Sequence, residues 1–153
     1  METTRKLTLP SGGTCKVRRL TPRDSLKVGV IPDVLAEPEK AKDTKAEREA
    51  KAAYSIRMNE VILCDCLGLI TDKDGRTFRV VNKGAFDCSD TEENCDLFAT
   101  TDDGAAVVEA VLELSGFKTS DREALAPFPE EQKAVGQPGQ DLPKVSESAV
   151  GSP

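Results

Sequence analysis

Residues 45–70 constrain the fold more than any other part of the chain, because this stretch is long, free of proline and divided into two unlike halves. Its only glycine is Gly68, near its end, and its length suffices for about seven helical turns. Up to Lys51 only alanine separates the charged residues, whereas from Ala53 onward aliphatic residues occupy both helix faces. A helix that is apolar all round is buried, and one that is polar all round is solvated. We therefore predict one long central helix whose second half builds the core and whose first half extends into water.

The first twenty residues predict a β-hairpin. Two short runs of alternating apolar and polar residues flank residues 10–13, Pro-Ser-Gly-Gly, which are typical of a turn. In a hairpin that packs one face on a helix, four residues should point toward the core: Leu7, Leu9, Cys15 and Val17. Two strands alone are only marginally stable, so the hairpin has to lean on a helix.

A short helix should follow the hairpin directly. Thr21 is a typical N-cap, Pro22 suits the first helical position, and Asp24 can complete a capping box. We expect this helix to end near Gly29. Pro32 then interrupts the chain before another short turn.

The second half of the chain predicts a strand, a loop, a helix and a tail. Residues 76–81 have the pattern of a strand, residues 82–96 that of a loop, and residues 104–115 the 3.6-residue period of a helix that ends before Gly116. From Lys118 the chain changes character, and residues 127–153 are rich in proline, glycine, glutamine, serine and glutamate. Such a segment buries too little to become ordered. We therefore predict a mainly helical α+β domain over residues 1–118 and a disordered tail over residues 119–153.

The composition excludes several classes of function. The chain has a net charge of −6 and no histidine, which disfavours nucleic acid and anionic membranes as partners and removes the commonest general base and metal ligand. No apolar run is long enough for a transmembrane helix, and the N-terminal residues lack the apolar region of a secretory signal. We expect no enzyme activity and no cofactor, and we expect the five cysteines to be reduced thiols.

Two clusters resemble metal sites without meeting their requirements. Four cysteines are numerous enough for a zinc site, namely Cys64, Cys66, Cys88 and Cys95. However, the first two would lie about 200° apart on a helix. The Asp72-Lys73-Asp74-Gly75 segment starts like a calcium loop, but it lacks both the glycine at position six and the glutamate at position twelve. We therefore predict no metal site.

Four segments together resemble a known family. Residues 9–12 (LPSG), 17–24 (VRRLTPRD), 29–33 (GVIPD) and 111–117 (VLELSGF) resemble the tail assembly chaperones of long-tailed (siphovirus-like) bacteriophages. The charged linker before the central helix and the polar, proline-rich tail also fit that pattern. The resemblance covers about residues 6–117, and the five cysteines are unusual for such a protein.

The resemblance implies a non-catalytic protein of the host cytoplasm that binds the tape-measure protein and assists polymerisation of the tail tube. Many members also have a longer, frameshifted form that recruits the tail tube protein. Ile31, Val34 and Leu35 are the residues that we expect to cover an apolar helix of the partner. Alternatively, these three residues cap the domain's own core. Two other functions remain open, a structural minor tail or head-completion protein of the virion and a small zinc-binding regulatory module.

Overall fold

The computed structural model describes residues 2–84, 87–118 and 122, and it confirms the α+β fold. The strands are β1 (Thr4–Thr8), β2 (Thr14–Arg18), β3 (Ile70–Thr71), β4 (Thr77–Val81) and β5 (Glu92–Asn94). The α-helices are α1 (Pro22–Val28), α2 (Asp33–Ala36), α3 (Lys45–Val61), α4 (Cys95–Ala99) and α5 (Asp102–Leu114). The strands form one sheet in the order β1-β2-β3-β4-β5, antiparallel except for the parallel β4–β5 pair. The predicted disordered tail lies outside the described residues except for Arg122.

The predicted hairpin is confirmed. β1 and β2 pair so that Leu7 faces Cys15, and Leu9, Cys15 and Val17 are buried. The turn is attached to α5, because the Ser11 backbone N–H and hydroxyl both donate to the Asp103 carboxylate, at 3.0 and 2.6 Å. The hairpin therefore leans on a helix, as two isolated strands must.

The long central helix is confirmed for most of its length, but the prediction for its end was wrong. α3 stops at Val61, a π-helical turn follows over Ile62–Cys66, and the chain then becomes extended. Leu67 forms a bridge with Val17 of β2, and Ile70 begins β3. A short apolar run does not distinguish a buried helix from a buried strand, and here pairing with β2 decides the outcome. The division into a solvated first half and a buried second half is correct.

The predicted loop over residues 82–96 contains two elements that the sequence did not indicate. β5 pairs with β4, and α4 follows it without a break. Asn94 makes the corner, because its Oδ1 accepts from the N–H groups of Asp96 and Leu97 and its Nδ2 donates to the carbonyls of Lys83 and Gly84. The strand is only three residues long and all three are polar, so it lacks the alternation of apolar and polar residues that predicts a strand.

α5 runs through the centre of the core and confirms the second predicted helix. Its fully buried side chains are Val107, Val108, Val111 and Leu112. The helix starts against α4 at a glycine, where a Cβ on Gly104 would lie 2.1 Å from the Phe98 carbonyl oxygen. Gly116 follows the helix with φ of +87°, which favours glycine. The core is thus built from residues of the sheet, of α5 and of the second half of α3.

Candidate partner-binding surface

α1 is held to the sheet by a buried carboxylate. Asp24 is only 3% exposed, and it accepts from Arg18 Nη1 at 2.7 Å and from the Thr21 N–H at 2.8 Å. The Arg18 guanidinium is the main reason that the pKa of Asp24 falls from 3.8 to about 2. The predicted capping box is therefore present, and it is also an ion pair that orients the helix.

The C-terminal end of α1 is fixed from α3. Arg57 Nε donates to the Val28 carbonyl oxygen at 2.6 Å, and its guanidinium lies over the Tyr54 ring at 5.8 Å. Gly29 then turns the chain with φ of +97°, a conformation that L-residues with a side chain rarely adopt. Lys27 adds an ion pair with Asp65 at 2.8 Å. The loop that leaves α1 therefore starts from an anchored position.

Because Asp24 and Val28 face inward, the other side of α1 faces solvent. Leu26 lies two residues from each of them, about 200° away around the helix, and it is 84% exposed. Val30 is 88% exposed and Ile31 is 50% exposed. We call Leu26, Val30 and Ile31 the apolar surface. Leu26 lies on α1 between the anchored residues Asp24 and Val28, and Val30 and Ile31 follow the end of that helix. All three are large aliphatic side chains that are at least half exposed.

The three residues predicted to bind a partner have different environments. Ile31 belongs to the apolar surface, whereas Val34 and Leu35 on α2 are half-buried. Leu35 packs against the core, and α2 lies on α3. Leu26 and Val30 were missed. The sequence feature that could have indicated Leu26 is the spacing of Asp24 and Val28, which lie on the helix face opposite to it. However, an aspartate is rarely expected on the buried side of a helix.

The candidate metal ligands are engaged elsewhere or do not converge. No group of three or more metal-ligating side chains suitable for an ion occurs in the described part of the chain. Asp72 Oδ1 accepts from the N–H groups of Asp74 and Arg76, both at 2.9 Å, so the segment that starts like a calcium loop is a hydrogen-bonded turn. All five cysteines are free thiols.

Comparisons of the chain with protein-family models, with curated proteins and with solved structures gave no match. Within residues 2–84 and 87–118, no helix combines the length and the apolar character needed to cross a membrane.

Proposed function

We propose that the chain is a non-catalytic tail assembly chaperone of a long-tailed bacteriophage, and that its apolar surface binds an amphipathic helix of the tape-measure protein. The observation that carries the proposal is the exposure of Leu26, Val30 and Ile31, on and just after a helix that Arg18 and Arg57 anchor at its two ends. An amphipathic helix buries its apolar face against aliphatic anchors of this kind. The motif resemblance supplies the identity of the partner.

The size of the apolar surface suits reversible binding. Complete burial of a Val, Leu or Ile side chain contributes about 1.5–3 kcal/mol, and association costs at least about 4 kcal/mol in lost freedom of motion. Three such anchors therefore leave a modest net affinity for one helical segment. A chaperone needs this balance, because the tail tube has to displace it from the tape-measure protein during assembly.

The rest of the molecule favours a soluble complex. The first half of α3 projects charged residues into solvent, and the chain has a net charge of −6, so like-charged complexes repel one another. In this proposal the protein acts in the host cytoplasm. The tail tube protein is its second partner, contacted while the tube polymerises around the tape-measure protein.

The test is co-expression with the tape-measure protein encoded beside this chain. The unmodified chain should keep the tape-measure protein soluble, and the variant Val30→Ser/Ile31→Ser should lose this ability. The matched control is Leu69→Ser/Leu97→Ser, because these side chains are 63% and 49% exposed and lie outside α1 and its following loop. Both variants should unfold at nearly the temperature of the unmodified chain, since all four side chains are about half exposed or more.

Two results would overturn the proposal. In the first, the unmodified chain neither co-purifies with the tape-measure protein nor keeps it soluble. In the second, the control variant loses activity as fully as Val30→Ser/Ile31→Ser. Purified phage particles give an independent check, because a chaperone should be absent from them, whereas a minor tail or head-completion protein should be present.

A further inference from the structure

β1 lies at one edge of the sheet and pairs with a strand on one side only, in the described part of the chain. Its hydrogen bonds to β2 fall at alternate positions, and just past the strand the Leu9 N–H donates to the Gly13 carbonyl oxygen at 2.8 Å. The intervening N–H and C=O groups, which belong to Thr4, Lys6 and Thr8, therefore point away from β2. No hydrogen bond within the described residues engages these groups. This edge can therefore accept a further strand.

Two lysines face each other on the solvent side of the hairpin. Lys6 lies opposite Lys16 in the register, both side chains are exposed, and like charges in such a position destabilise a sheet. The ion pairs of β1 and β2 are those of Arg5 and Arg18, so among the described residues neither lysine has an acidic partner. The hairpin therefore retains an arrangement of charges that opposes its own folding.

Protection of the sheet edge accounts for only one of these lysines. A lysine on an edge strand hinders pairing with another sheet, and Lys6 is placed to do this. Lys16 lies on β2, which has neighbouring strands on both sides, so edge protection does not require it. Violations of a local rule concentrate at functional sites. A carboxylate from a partner would turn the repulsion between the two lysines into a shared attraction.

We propose that the edge of β1 binds an acidic, extended segment of a partner protein as a sixth strand of the sheet. The backbone of the segment hydrogen-bonds to the outward groups of Thr4, Lys6 and Thr8, as in other cases of strand addition. Side chains alternate between the two faces of a strand, so acidic residues at every second position of the segment lie on the face of Lys6 and Lys16. Lys16 is two strand spacings away, about 10 Å, which a lysine and a glutamate side chain span together.

Other occupants fit this edge less well. A second copy of the chain would bring two more basic residues, Arg5 and Lys6, to an edge that is already basic. A nucleic acid has no peptide groups with which to continue the sheet, and the net charge of −6 opposes its approach. The edge of β1 is separate from the apolar surface, so this inference does not depend on the proposed chaperone function.

The experiment titrates the full chain with a blocked synthetic peptide in which three glutamates alternate with threonines. Backbone NMR should show shifts centred on Thr4, Lys6 and Thr8, with contacts between their protons and those of the peptide backbone. The control peptide has the same sequence and charge, but N-methyl groups block the N–H groups that would face β1. It should bind at least tenfold more weakly. Equal binding of the two peptides would overturn the proposal, because charge alone would then explain the affinity.

Lys6→Glu separates binding from folding. It should weaken peptide binding about tenfold, because an attraction becomes a repulsion. It should not lower the melting temperature, because it replaces the like-charged pair with opposite charges across β1 and β2. Lys45→Glu is the matched control, since it makes the same change of charge at an exposed lysine, the first residue of α3. It should bind the peptide as the unmodified chain does.

Three further results would overturn the proposal. The first is an equal loss of peptide binding in Lys6→Glu and Lys45→Glu. The second is a dimer of the unmodified chain that Lys6→Glu dissociates, because a second copy would then occupy the edge. The third is the absence of peptide binding at millimolar concentration, or binding of a single-stranded oligonucleotide at Lys6 and Lys16 in its place.

Discussion

α1 and α3 begin with the same local motif in opposite environments. Each has a threonine N-cap and an acidic residue three positions later, Thr21 with Asp24 and Thr44 with Glu47, and each forms a complete capping box. Asp24 is buried and paired with Arg18, whereas Glu47 accepts only from backbone N–H groups and the Thr44 hydroxyl at the solvated start of α3. The capping box specifies where each helix begins, whereas tertiary contacts determine how much its acidic residue contributes to stability.

This difference also determines which residues face water. Arg18 draws the Asp24 side of α1 inward, so Leu26 on the opposite side becomes exposed. At the start of α3, Glu47 accepts from backbone N–H groups and the Thr44 hydroxyl instead of from a basic side chain. The charged residues there are solvated. The exposure of Leu26 thus follows from a partly buried ion pair in α1.

Asp24→Ala should have the largest effect on stability. It removes the acidic partner of a cap, which typically costs about 1 kcal/mol, and a hydrogen-bonded charge opposite Arg18, worth about 1.5–3 kcal/mol. We expect the free energy of unfolding to fall by about 2–4 kcal/mol, measured by denaturant titration. A fall below about 1 kcal/mol would mean that the two capping boxes are equivalent despite their environments.

The stability of the unmodified chain should depend on pH through Asp24. Its pKa falls from 3.8 to about 2 on folding, so the ionised form stabilises the fold fully above 3.8, and this contribution is lost as the pH falls through 2. The difference in unfolding free energy between the unmodified chain and Asp24→Asn should therefore be constant above that range and shrink below it. Glu92 also has a pKa of about 2, but it is present in both proteins and cancels. A difference that does not change with pH would contradict the role of the Arg18–Asp24 pair.

Thr44→Ala should have a smaller effect than Asp24→Ala. Loss of an exposed N-cap hydroxyl costs about 0.5–1 kcal/mol, and no buried charge is left without its partner. Thermal or denaturant unfolding measures this difference, and co-solubilisation of the tape-measure protein should be unchanged. If Thr44→Ala destabilises the fold as much as Asp24→Ala, then the burial of Asp24 does not make the cap of α1 more important for stability than the cap of α3.

Local signals predicted much of this fold. The cap at Thr21, the hairpin turn and the glycine after α5 each depend on a few neighbouring residues, and their chemistry can be recognised without tertiary structure. The end of the central helix and the existence of β5 were not predictable in this way. Both depend on pairing with distant strands, β2 in one case and β4 in the other.

The candidate site was predicted only in part. Ile31 was predicted because residues 31–35 are apolar, follow a helix and lie beside a charged segment, and its side chain is half-exposed in the structure. Val34 and Leu35 have the same apolar character, but α2 packs them partly inward. Leu26 was missed because the orientation of α1 depends on a buried aspartate, which hydrophobic periodicity does not anticipate, and Val30 was missed because it lies in the loop after that helix.

The most direct test of the account is methyl NMR of the chain titrated with a soluble amphipathic segment of the tape-measure protein. The account predicts that the methyl resonances of Leu26, Val30 and Ile31 shift together as the segment binds, while those of Leu69 and Leu97 stay in place. All five residues are between 49% and 88% exposed, so exposure alone does not produce that pattern. Shifts centred on Leu69 or Leu97, or no shifts at any concentration of the segment, would contradict the claim that the apolar surface binds the tape-measure protein.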